Sequence, residues 1–151
     1  MTPSVERKIG AVCLCLIGAT LWTAAATKML HIKEFWSVLE TVPFLPEILL
    51  VPFSGVLIAV EVLLPFGLIL SPIRRQSLLS CLALFGCFAG YALWRIGHGN
   101  MGGCGCFTGL LDLTSVQDLF LDLFLISGGS YAYRALGYSA PRPLRLHRGS
   151  I

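Results

Sequence analysis

Long apolar stretches separated by short charged clusters limit most strongly what this chain can fold into. The first runs from Ile9 to Leu30 behind Glu6-Arg7-Lys8, and the second from Ile48 to Leu70. The third covers about Leu78 to Ile96 behind Arg74-Arg75, and the fourth about Val116 to Leu136. At about 1.5 Å per residue, each is long enough as a helix to cross a hydrocarbon core of roughly 30 Å. Only 13% of the residues are charged and 56% are hydrophobic, with a mean hydropathy of +0.80. A water-soluble domain has roughly a quarter of its residues charged, so this chain cannot coat itself with a solvated surface. The expectation is an all-α membrane protein, a four-transmembrane-helix bundle forming one domain over residues 1–151 with the lipid bilayer as partner. No basic stripe is interleaved with aromatic residues, which argues against nucleic acid as a partner.

Several residues inside these stretches are out of character with them. Glu61 lies deep in the second span, four residues before Pro65. A proline removes the amide donor from the carbonyl four residues earlier, here that of Glu61, so the backbone is expected to be irregular at this point. An ionisable residue at mid-span marks a functional site by default, which makes Glu61 a candidate for a proton-handling or structural role. Lys28, near the end of the first span, is its nearest candidate partner, although snorkelling to the interface accounts for a lysine there equally well. Asp122 in the fourth span is a second residue of Glu61's type. The first stretch also leads to Ala24-Ala25-Ala26, which resembles a signal-peptide cleavage site, but its apolar run is long for a signal peptide.

Between the first two spans, His31 to Glu47 mixes charges with Phe35, Val38, Leu39 and Val42 at helical spacing. That pattern fits an amphipathic segment lying at the membrane interface and ended by Pro43 and Pro46. Thr114 or Ser115 is placed to cap the fourth helix, with Asp118 in its first turn where the helix dipole favours a negative charge. Residues 137–151, with Arg142, Arg145 and Arg148 and few apolar side chains, read as a disordered tail.

Basic residues give the orientation. With four spans, one side holds Arg7, Lys8, Arg74, Arg75, Arg134, Arg142, Arg145 and Arg148, and the other holds Lys28, Lys33 and Arg95. By the positive-inside rule the first side is cytoplasmic, and both termini with it. The expected location is the bacterial inner membrane, crossed several times. The segment before the fourth span then faces the periplasm, where disulfide chemistry is permitted.

That segment is Gly102-Gly103-Cys104-Gly105-Cys106-Phe107-Thr108-Gly109. Two cysteines separated by one glycine can join only in a small strained ring, because an ordinary bridge holds its Cα atoms several ångströms apart. Gly105 can take the turn such a ring needs. Strained disulfides are easily reduced and tend to be redox-active, so Cys104 and Cys106 read as a redox pair, with thiol–disulfide oxidoreductase as the enzymatic form of that reading. Arg95 and a loop rich in backbone amides would favour a thiolate there. The alternatives are two buried cysteines acting as small hydrophobes, a docking loop around Phe107 in a non-catalytic assembly protein, or a metal-delivery site. For metal, Cys104, Cys106 and His98 are the available ligands, but no closed four-ligand spacing is visible, and neither a metal nor a cofactor is expected. His31 is a weaker candidate on the same side. Cys13, Cys15, Cys81 and Cys87 are expected to pack as apolar helix residues.

A lysine late in the first span, a glutamate within the second and Gly103-Cys104-Gly105-Cys106-Phe107 before the fourth resemble the MauE family of methylamine utilisation proteins, within the wider DoxX-like group. The resemblance covers about residues 9 to 136. It implies a role in maturation of methylamine dehydrogenase, beside a periplasmic thioredoxin-like partner, with an exported disulfide-rich client such as the amine dehydrogenase small subunit. The chain departs from the family in having Thr108 where Cys-Gly-Cys-Phe is usually followed by glycine. It departs again at Leu121-Asp122, where the family commonly has a basic and then a polar residue.

Overall fold

The structure is a computed structural model that describes residues 3–42, 45–70, 72–99 and 114–137. All the secondary structure among them is helical: α1 (Pro3–Leu30), α2 (Ile32–Glu40), α3 (Glu47–Ile69), α4 (Arg74–Gly97) and α5 (Ser115–Ala135). Three helices are long and apolar enough to cross a membrane, spanning Ser4–Leu30, Glu47–Ile69 and Arg74–Gly97. The fourth expected span is helical too, but Asp118, Asp122 and the Ser127–Ser130 stretch dilute its apolar character.

The long helices form a closed ring in which α1 and α4 each pack against both α3 and α5, and α2 lies on α3 and α1. Gly10 near the start of α1 faces Ala132 and Ala135 near the end of α5, and Gly67 near the end of α3 faces Ser77 near the start of α4. Neighbours in the ring are therefore antiparallel. A core of Ile17, Leu21, Leu68, Leu78, Cys81, Phe85 and Leu125 fills the middle. The outside is apolar as well: Leu16, Val56, Leu63, Leu79 and Phe120 are all exposed. An apolar exterior around an apolar core is what a lipid-facing bundle requires, because lipid solvates what water would not.

Helix ends follow local chemistry. Thr114 caps α5 through a reciprocal capping box with Gln117. The turns after α4 and α5 place Gly99 and Gly137 at φ of +72° and +74°, the left-handed position where a helix stop favours glycine. Arg74 donates from Nε to the Leu68 carbonyl at 2.8 Å and from Nη2 to the Ile69 carbonyl at 3.0 Å. The first residue of α4 thus satisfies carbonyls that the end of α3 leaves without helical partners.

Three expectations need correction. The first and third helices begin earlier than their apolar runs, at Pro3 and Arg74, because a helix accommodates charged residues in its outermost turn. The α3 assignment continues through both Pro52 and Pro65, so the stretch around Glu61 is not a break. The amphipathic helix ends at Glu40, with Thr41 as its C-cap, before either proline. Its buried Phe35 and Leu39 pack on Leu50 of α3, and Trp36 Nε1 donates to Ser54 Oγ at 3.1 Å.

Candidate functional site

Cys104, Cys106, Phe107 and Thr108 lie outside the described residues. Gly99 and Thr114, the described residues that bracket their segment, stand at the adjoining ends of the antiparallel α4 and α5. The chemistry that can be described is clustered in the same half of the bundle.

Its centre is Lys28. The side chain is 1% exposed, and Nζ donates to Glu61 Oε1 at 2.5 Å, with Glu61 0% exposed. The two residues look mismatched in depth, one near the end of α1 and the other well inside α3. Side chains on a helix lean toward its N-terminus, and α1 and α3 run antiparallel. Lys28 therefore leans inward and Glu61 leans toward the end where Lys28 starts, and the long lysine stem closes the gap. A buried ion of this kind persists only if other groups replace its hydration. The ammonium lies 5.5 Å from the Phe35 ring centroid and 5.3 Å from that of Phe88, so two aromatic faces add cation–π attraction. Phe35 reaches this position because the chain bends at His31 (φ −116°, ψ 44°), turning α2 away from the line of α1.

Asp122 on α5 completes the convergence, within electrostatic reach of both Lys28 and Asp118. The other four helices thus each contribute a side chain to the surroundings of one lysine on α1. Asp118, Asp122, Arg95 and Ser115 are all buried. Most of these charges suit the helix ends they occupy: Lys28 and Arg95 lie in the last turns of α1 and α4, and Asp118 in the first turn of α5. A helix favours cations at its C-terminus and anions at its N-terminus. Glu61 and Asp122 lie further inside their helices and lack that support. Glu61 has Lys28 instead, but its Oε2, like Asp122 Oδ2, is buried with no hydrogen-bond partner.

Sequence reasoning named Lys28 as the candidate partner of Glu61, which the 2.5 Å contact bears out, but it did not bring Asp122 to the same lysine. It also placed Arg95 beside the cysteine segment, which lies outside the described residues; Arg95 itself is buried, with its guanidinium 5.9 Å from the Tyr91 ring centroid. The four-residue spacing of Asp118 and Asp122, which puts them on one helix face, was the available signal for that cluster. The aromatic faces around Lys28 left no comparable trace, because Phe35 and Phe88 resemble any other apolar helix residues.

The other candidates are peripheral. His98 is exposed and its Nδ1 lies 2.8 Å from the Trp94 carbonyl. A carbonyl only accepts, so Nδ1 is the donor in this contact and Nε2 is not part of it. His31 pairs with Glu34 at 3.4 Å near the surface. Among the described residues no three His, Cys, Asp or Glu side chains are grouped to hold a metal ion. Cys81 packs in the core, Cys13 is half-buried, and Cys15 and Cys87 face outward; all four are free thiols. Packing is therefore the role of Cys81, while the outward pair lie on the apolar exterior.

A family model described as methylamine utilisation protein MauE matches residues 6–135. The chain belongs to the MauE family. No curated protein and no solved structure matches it. The family match runs from the first turns of α1 to the last residue of α5, so it includes the lysine cluster and the cysteine segment alike. The chain is accordingly an all-helical membrane protein of a family associated with methylamine utilisation.

Proposed function

We propose that this protein is a four-span inner-membrane protein that exchanges thiol and disulfide equivalents at the periplasmic face through Cys104 and Cys106. The observation that carries this reading is family membership over residues 6–135, a range that includes the Cys-Gly-Cys pair.

Side-chain directions in α5 support the fourth span. Phe120 and Phe124 are 69% and 67% exposed, while Asp118 and Asp122 face inward at 3% and 5%. A helix with its polar residues inside and phenylalanines outside suits lipid, even though its average composition is less apolar than that of the others. Burial also sharpens the charge asymmetry. Lys28 and Arg95 are sequestered inside the bundle, which leaves Lys33 as the exposed basic residue at the end that bears the cysteine segment. The eight basic residues of the opposite side mark the cytoplasm by the positive-inside rule. Both termini are then cytoplasmic and the cysteines periplasmic.

In the exchange, a thiolate of one cysteine attacks a sulfur of a partner disulfide and releases the partner's other sulfur as a thiolate. The second cysteine then displaces the first-attacked sulfur, closing Cys104–Cys106. Two electrons pass to the partner, whose two thiolates take up the protons released by the dithiol; the reverse direction uses the same steps. The partner is a periplasmic thioredoxin-like protein, and the client an exported disulfide-rich protein such as an amine dehydrogenase small subunit.

Trapping tests this directly. In cells that make the thioredoxin-like partner, either Cys104→Ser or Cys106→Ser should accumulate a mixed disulfide that is absent from wild type and removed by reductant. If neither variant forms one and both support amine dehydrogenase maturation at wild-type levels, the exchange reading is overturned in favour of a non-catalytic assembly role.

A further inference from the structure

The buried charges around Lys28 do not balance. Lys28 brings one positive charge to two carboxylates, Glu61 and Asp122, that lie away from the favourable poles of their helices. Including the other buried charges leaves the total unchanged, because Arg95 of α4 and Asp118 of α5 are opposite in sign. The α2 helix contributes the Phe35 ring and no buried charge. With every group ionised, the buried side chains among the described residues therefore carry one uncompensated negative charge. Burying such a charge is far more costly than protonating it. Glu61 has the ammonium at 2.5 Å, whereas Asp122 lies beside a second aspartate.

We propose that the cluster is a proton-binding site that holds one proton on Asp122 while Lys28 and Glu61 remain an ion pair. The buried carboxylate oxygens Glu61 Oε2 and Asp122 Oδ2, which have no hydrogen-bond partner, are the independent sign of an occupant. A proton is the ligand that corrects the charge without needing space. The site is independent of the cysteine chemistry, and its test does not involve Cys104 or Cys106.

Charge counting makes the proposal specific. Removing either carboxylate leaves one anion for one cation, so the proton should leave; removing the lysine leaves two anions, so a second proton should enter. Infrared spectra of the full-length protein in lipid nanodiscs at pH 7 read this directly, through the carbonyl stretch of a buried carboxylic acid above the amide I band. Wild type should show one such band, which shifts in D2O. It should disappear in both Asp122→Asn and Glu61→Gln, and roughly double in Lys28→Met. Should Lys28→Met fail to fold, the two carboxyl variants decide alone. The proposal is overturned by the absence of the band in wild type, by its persistence in either carboxyl variant, or by its removal when Na+ is added at constant pH. The last result would mean that the site takes a monovalent cation instead.

Discussion

The two halves of this bundle are built from the same helices but held together differently. In the half containing the start of α1 and the end of α5, helices meet through small residues. A Cβ on Gly129 would lie 2.7 Å from Leu82 Cδ2 and 3.2 Å from Ile17 Cδ1, and one on Gly67 would lie 2.9 Å from Ser77 Cβ. In the half containing Lys28, helices converge on buried charge. Lipid is as apolar as a leucine core, so burying apolar surface gives little drive for helices to associate in a membrane, and close van der Waals contact and polar pairs must supply it. One half relies on the first and the other on the second. Contact between small residues tolerates no added atom, whereas a charge cluster tolerates changes of size but not of charge.

The largest effect should come from unbalancing the charged half. Lys28→Met removes the cation paired with Glu61 and within electrostatic reach of Asp122, and should destabilise the fold by about 3–5 kcal/mol, the usual result of breaking a buried pair from one side. Glu61→Gln should cost less, because Asp122 remains to balance the ammonium. Lys28→Met combined with Glu61→Leu should recover most of the loss, since apolar replacements of both partners are often nearly neutral. Unfolding titrations of detergent-solubilised protein, followed by circular dichroism, measure all three. If Lys28→Met costs no more than Glu61→Gln, the lysine is not the hub of this half.

In the apolar half the expected cost is smaller and steric. Gly67→Ala places a Cβ against Ser77, whose own Cβ cannot rotate away, and should destabilise by about 1–3 kcal/mol through overpacking. Adding Ser77→Gly should restore stability by emptying the same space. The equivalent exchange of charge for neutral polar groups has no counterpart here. A Gly67→Ala variant as stable as wild type would show that the ends of α3 and α4 separate easily, and that the half is less tightly packed than its geometry indicates.

The same contrast explains how much was legible in the sequence. Run length reveals spans, because crossing a bilayer demands a minimum number of apolar residues; α1, α3 and α4 followed at once, and Thr114 or Ser115 marked the start of α5, with Thr114 the cap in the structure. Averages conceal direction. The composition of α5 counts Asp118 and Asp122 against a membrane span, although both point inward and Phe120 and Phe124 point outward. The amphipathic spacing of Phe35 and Leu39 showed that one face of α2 is covered, but a membrane surface and the flank of α3 would leave the same stripe. The Lys28–Glu61 pair was legible as a candidate, with snorkelling as its rival; the apparent mismatch in depth came from Cα positions, when antiparallel helices incline the two side chains toward each other. The Cys-Gly-Cys spacing suggested a redox pair, but Cys104 and Cys106 lie outside the described residues.

The smallest expected effect distinguishes local support from bundle packing within the charged half. Thr114 Oγ1 accepts from the Gln117 amide at 3.4 Å, and the Gln117 side-chain carbonyl accepts from the Thr114 amide at 2.9 Å. Thr114→Ala keeps the backbone and removes one side of this exchange, which should cost about 1 kcal/mol. The loss should be confined to the first turn of α5, where Ser115 and Asp118 enter the buried cluster. Hydrogen exchange should therefore accelerate at amides near Gln117 and Asp118 while those around Gly67 and Gly129 keep wild-type protection. Equal acceleration in both halves would mean that the start of α5 and the glycine contacts open as one unit, and that the two ways of holding the helices together are not separable.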